Sequence, residues 1–161
     1  MRCPFPDARR AFCAVALLLT IMSAHASEWS VYTGVFEPAA TASLSDSGSA
    51  DYYAGLALGD NFQFNEFEYG VSGGLRHLAF YSTFQVPLFA DHVHALVGLG
   101  FASLFREEDD FWQRVTPDVA LVKGGLNARL VGPLYVEALL ENSYFGPERP
   151  DYKLQLRWKF Q

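Results

Sequence analysis

The sequence predicts an all-β chain of eight antiparallel strands in up-and-down order, closed into a transmembrane β-barrel. Three observations point there: period-two alternation of apolar and polar residues, joins that alternate short and long, and aromatic residues gathered near strand ends. Alternation is cleanest at the C-terminus, where Tyr152, Leu154, Leu156, Trp158 and Phe160 interleave with Lys153, Gln155, Arg157, Lys159 and Gln161. The preceding strand sets Leu134, Val136, Ala138 and Leu140 against Tyr135, Glu137, Leu139 and Glu141. Before it, Ala120, Val122, Leu126, Ala128 and Leu130 oppose Lys123, Asn127 and Arg129. A fifth strand puts Val93 to Phe101 against His92, His94, Gly98 and Gly100, and a fourth puts Leu78, Phe80, Phe84 and Val86 against Tyr81, Thr83 and Gln85. Phe67, Tyr69, Val71 and Leu75 oppose Glu66, Glu68, Ser72 and Arg76 in the third. Weaker patterns at Trp29 to Glu37 and Asp51 to Leu58 complete the eight.

The joins decide between a barrel in lipid and a water-soluble sandwich or lipocalin-like barrel. Gly59-Asp60-Asn61, Pro87 to Asp91 and Val131-Gly132-Pro133 are tight, whereas Pro38 to Ala50, Ser103 to Pro117 and Ser143 to Pro150 are long and polar. Outer-membrane barrels have this asymmetry, with tight periplasmic turns and longer external loops. The third-to-fourth join, expected near Leu75 to His77, is the exception. Trp29, Phe62, Phe64, Phe84, Phe89, Trp158 and Phe160 fall near the predicted periplasmic strand ends, and Phe36, Tyr52, Phe80, Phe101 and Tyr144 near the opposite rim, as interfacial girdles would. Gly55, Gly70, Gly74, Gly98, Gly100 and Gly125 fall mostly on the polar parity, where a narrow interior needs room.

Residues 1–26 read as a signal peptide. Arg2, Arg9 and Arg10 precede an apolar run from Ala11 to Met22, and Ala24-His25-Ala26 forms a small-x-small cleavage site, so Ser27 is the expected first mature residue. That run is shorter than the roughly 20 residues a spanning helix needs. Residues 27–161 are then the barrel domain, with both termini in the periplasm. Cleavage removes three Arg and one Asp, leaving nine basic and seventeen acidic side chains and changing the formal charge from −6 to −8. An acidic chain offers no footprint for nucleic acid. Cys3 and Cys13 leave with the leader, so the mature chain has no disulfide framework and no thiol.

At the C-terminus the residues carry a resemblance. Lys153-Leu154-Gln155-Leu156-Arg157-Trp158-Lys159-Phe160 looks like the terminal-strand signal read by the outer-membrane assembly machinery, with Gln155 where that pattern prefers glycine and Gln161 after the final aromatic. Together with the strand count and loop asymmetry, the mature chain resembles the small OmpA/OmpX-like barrel superfamily of Gram-negative bacteria over nearly its full length. The resemblance implies an outer-membrane location, with membrane lipid, lipopolysaccharide and the assembly machinery as partners. Some barrels of this scaffold modify lipid A, and Glu141-Asn142-Ser143 resembles the His-x-Ser nucleophile segment of the deacylases. Ser143 matches the serine, but Glu141 stands where the histidine belongs, and a hydroxyl without an imidazole is a weak nucleophile. No complete catalytic set is legible.

Two polar constellations remain. Glu107, Glu108, Asp109 and Asp110 form an acidic run in a predicted external loop, with Phe111 and Trp112 beside it as interface anchors; a divalent cation or a surface partner is the expected ligand. The other is the lumen. A last hairpin turning about Gly146-Pro147-Glu148 would set Glu141 opposite Lys153 and Glu137 opposite Arg157, with Lys123 and Arg129 competing for Glu137. His92 and His94 share a predicted face that Glu66 and Glu68 could complete as a metal site, but a polar plug is the preferred reading, and no metal or cofactor is expected. The expected function is a non-enzymatic barrel with a structural or surface-interaction role. A lipid A-modifying enzyme and a narrow conduit for small or apolar solutes are the alternatives.

Overall fold

The structure is a computed structural model that describes residues 28–37, 51–72, 75–89, 92–106, 119–143 and 151–160. Eight strands follow one another: β1 (Glu28–Glu37), β2 (Tyr52–Gly59), β3 (Gln63–Ser72), β4 (Leu75–Phe89), β5 (Val93–Arg106), β6 (Val119–Val131), β7 (Leu134–Ser143) and β8 (Asp151–Phe160). Each pairs antiparallel with the next, and β8 returns to β1, from Trp29 opposite Phe160 to Glu37 opposite Tyr152, so the sheet closes without an edge. No helix among the described residues is long and apolar enough to cross a membrane.

Alternation along these strands sorts the side chains by face, with the polarity of a soluble protein reversed. Glu137 and Arg157 are 0% and 1% exposed, whereas Leu99 and Leu154 are 62% and 54% exposed. Burying such charges inside while presenting leucine outside is unfavourable in water and favourable in hydrocarbon. Some polar side chains on the outer wall are satisfied locally: Thr33 Oγ1 donates to Tyr53 O at 3.0 Å, and Gln63 Nε2 to Ser82 Oγ at 3.1 Å.

The end of the barrel carrying the tight joins is here called the turn end, and the other the loop end. At the turn end, Asp60 closes the β2–β3 turn by accepting from the backbone N–H groups of Phe62 and Gln63, both at 2.7 Å. Those donors, Gln63 first, hold its carboxyl below the ordinary value of 3.8. The β6–β7 turn places Gly132 at φ 52°, a left-handed conformation that a Cβ would strain. Register irregularities lie at this end too, between Pro87 and Phe89 and between Arg129 and Val131, where bulges commonly end strand pairing. Trp29 stacks on Phe160 with ring centroids 4.1 Å apart, and Phe62 meets Phe84 edge-on at 6.0 Å.

Several expectations need correction. The third-to-fourth join spans only residues 73–74, and Leu75, Arg76 and His77 already belong to β4, whose Leu75 pairs with Ser72. That register pairs Arg76 with Val71 on the outward parity rather than beside Glu66 and Glu68, and turns His77 inward. His92 precedes β5 and is exposed in a turn, so it shares no strand face with the buried His94. Phe64 faces the interior beneath Arg157, and Phe36 packs inside against Tyr53 and His77, so neither belongs to a girdle. The last hairpin is shifted by two residues: Glu137 pairs with Gln155 and Glu141 with Asp151, while Leu139 faces Lys153 and Tyr135 faces Arg157. Residues 1–27, Tyr144 and the loop carrying Glu107 to Trp112 lie outside the described residues.

Candidate functional site: the barrel interior

Across the middle of the barrel, the inward parity of β3, β7 and β8 brings Glu66, Glu68, Glu137, Glu141, Lys153 and Arg157 into a lumen of only eight strands, a width that side chains can fill. Arg157 lies at the centre of the half nearer the turns. Its Nε donates to Glu137 Oε1 at 2.6 Å, its Nη2 to Glu66 Oε1 at 2.6 Å, and its Nη1 to Ser30 Oγ at 3.0 Å. The planar guanidinium reaches acids on two strands at once, as a fork of fixed donors can. Lys123 from β6 makes a second contact to Glu66, and Asn127 Nδ2 (2.7 Å) and Gln155 Nε2 also donate to Glu137.

Nearer the loops, Lys153 occupies the corresponding place. Its Nζ lies 2.7 Å from Glu68 Oε1 and 2.9 Å from Glu141 Oε2. Two further side chains complete this half: Tyr81 Oη donates to Glu141 at 2.7 Å, and His77 Nε2 lies 3.0 Å from Glu68. Each buried cation also rests on aromatic faces. Arg157 sits 4.6 Å from the Tyr32 ring and 4.7 Å from that of Phe64, Lys123 is 4.1 Å from Tyr81, and Lys153 is 4.8 Å from Tyr53. Glycine makes the space: a Cβ at Gly98 would come within 2.7 Å of Thr83 Oγ1 and 2.9 Å of the Lys123 side chain, and one at Gly70 would overlap the His77 ring.

The residues singled out from the sequence are thus distributed unevenly. Glu137 meets Arg157 and Glu141 meets Lys153, diagonally rather than directly opposite, because of the two-residue shift. Lys123 contacts Glu66 instead of competing for Glu137, and Arg129 turns to its own hairpin, donating from Nε to Gly132 O at 2.7 Å. Ser143 ends β7 opposite Leu121, and its side chain lies outside the described set. Glu141, in the place of the deacylase histidine, is held by Tyr81 and Lys153. Sequence reasoning missed Glu66 and Glu68 as ion-pair acceptors, and missed the tyrosines beneath the cations. Their inward parity was the available signal. No group of three or more potential metal ligands occurs among the described residues.

A closed eight-stranded sheet with an apolar wall and an ion-paired interior defines a class: β-barrels of the outer-membrane type. Solved structures agree on the fold. The N-terminal β-barrel domain of Pseudomonas aeruginosa OprF superposes with a TM-score of 0.60 at 11% identity, covering 84% of this chain and 98% of that one. The de novo designed TMB2.3 superposes at 0.54 with 10% identity, covering 83% and 93%. No family model and no curated protein sequence matches the chain.

Proposed function

We propose that this chain is an integral outer-membrane barrel with a sealed interior, serving a structural or surface-interaction role rather than conducting solutes. One observation carries the reading: across the middle of the lumen, every charged side chain is matched by an opposite charge or a hydrogen-bond donor, from Glu66 and Glu137 around Arg157 to Glu68 and Glu141 around Lys153. Such a network excludes hydrated ions, since a permeating ion would have to break pairs whose isolated members cost several kcal/mol to leave buried. In this reading the leader is cleaved before Ser27, the termini face the periplasm of a Gram-negative cell, and the C-terminal strand is read by the assembly machinery. The loop around Glu107 to Trp112 then faces lipopolysaccharide. Planar-bilayer recording on the refolded chain, folding being checked by faster gel migration unboiled than boiled, is the test. No stable conductance is expected. A long-lived ion-conducting state would replace this reading with the conduit.

A further inference from the structure

The cations of the interior fall into two groups. Lys123, Lys153 and Arg157 each contact a carboxylate. Arg129 and Lys159, at the turn end, form no ion pair with any carboxylate among the described residues. Arg129 uses only its Nε, on Gly132 O, and Lys159 lies over the ring of Tyr135, 4.8 Å from its centroid. These three residues sit on adjacent strands: Tyr135 is the register partner of both Arg129 and Arg157, and Lys159 is two residues beyond Arg157. They line a cavity of about 820 Å³ that opens at the turns. Glu28 also lines it, without a salt bridge to either cation, and nearby Asp60 is spent on the N–H groups of its own turn.

Two further features specify the ligand. Gln85, 2% exposed and lining the same cavity, gives its Nε2 to Asn61 O while its Oε1 accepts from no group among the described residues; this acceptor suits a hydroxyl or amine beside an anion. The cavity also reaches over the rim to Trp158 and Phe160 on the apolar wall. An arginine fork and a lysine set either side of a tyrosine suit a tetrahedral oxyanion, and an aromatic lip suits the body that carries it. From these we infer that the turn-end mouth binds a phosphate ester bearing a hydroxyl or amine, with Arg129 and Lys159 on the phosphate and Gln85 on the neighbouring donor.

A soluble ester and a phospholipid headgroup present this same chemistry. Only the lipid source rests on the membrane placement proposed above; the soluble ester can be tested in micelles. The refolded chain in zwitterionic detergent should be titrated with glycerol phosphate, followed by tryptophan fluorescence. Separately, it should be incubated with phosphatidylglycerol or phosphatidylcholine and analysed by native mass spectrometry for retained lipid. Phosphatidylglycerol should be retained about thirtyfold over phosphatidylcholine, the preference expected from two surface cations, and Arg129→Gln with Lys159→Gln should abolish it. Arg76→Gln, on the outward parity toward the loop end, should change nothing. Competition by glycerol phosphate would identify a site open to the soluble ester, and its absence would identify the headgroup as the ligand. If the double variant loses its gel shift, Arg129→Lys with Lys159→Arg, which keeps both charges, should retain the preference. Equal retention of the two lipids together with fluorescence unmoved by glycerol phosphate would overturn the inference, whatever the bilayer recordings show.

Discussion

The two halves of the plug solve one problem with different cations. Both span the lumen through the same three strands: Glu66, Glu137 and Arg157 toward the turns, Glu68, Glu141 and Lys153 toward the loops. The turn-end half adds Lys123, so two carboxylates face two basic side chains, a guanidinium and an amine. The loop-end half adds Tyr81 and His77, and an imidazole is charged only when protonated. A guanidinium can bridge two acids and a serine with its own donors, whereas an ammonium is a point charge that leaves acceptor sites for others to fill. Stability should therefore concentrate in the turn-end half.

Removing each central cation tests this most directly. Arg157→Met leaves Glu137 with no cation, only the amides of Asn127 and Gln155, and leaves Glu66 to Lys123 alone; it should cost about 3–5 kcal/mol, the range for breaking a buried pair. Lys153→Met leaves Tyr81 and His77 in place and should cost about 1.5–3 kcal/mol, the value of hydrogen bonds to charged groups. Urea midpoints from gel-shift unfolding measure both, and equal losses would erase the distinction between the halves. Glu137→Gln should fall next, at about 1–3 kcal/mol, because Arg157 keeps Glu66. Adding Arg157→Glu to Glu137→Arg should restore nothing, since the new carboxylate would then face Glu66; recovery of the midpoint would show that Glu66 is dispensable.

Packing should matter less than charge. Gly98→Leu crowds Thr83 and Lys123 and should cost about 1–3 kcal/mol through overpacking, measured the same way. Its effect should shrink in a Lys123→Ala background. The smallest effect belongs to the Asp60 turn, outside the plug. With its carboxyl held below 3.8, the turn's contribution is present above that value and lost as pH falls through the lower folded value. Hydrogen exchange at the Phe62 and Gln63 amides should therefore accelerate, relative to other turn amides, only in that acid window. An Asp60→Asn chain should show no such window.

How much of this was legible depends on what a two-residue repeat can encode. Alternation assigned Glu137, Glu141, Lys153 and Arg157 to one face correctly, and it would also have assigned Glu66 and Glu68 to the plug had they not been weighed beside His92 and His94 as metal ligands. It failed where the pattern is interrupted: β4 already begins at Leu75, so Arg76 lies on the outward parity, whereas a third strand running on to Arg76 would have set it beside Glu66 and Glu68. Phe64 and Phe36 were misread because proximity to a strand end says nothing about which side of the wall a ring occupies.

The sequence by itself determined the inverted polarity, the eight strands and, away from the strand ends, most of the residues that face inward, because side-chain direction follows local backbone geometry with a period of two. Partner choice belonged to the tertiary structure. A slip of one residue would turn every side chain to the wrong face and is forbidden by the apolar wall, but a slip of two leaves both faces intact and changes only who meets whom. Closure of the sheet set that register at all eight seams together. It placed Glu137 beside Gln155, carried Arg157 between Glu137 and Glu66, and left Arg129 and Lys159 at the mouth without a salt bridge to a carboxylate among the described residues.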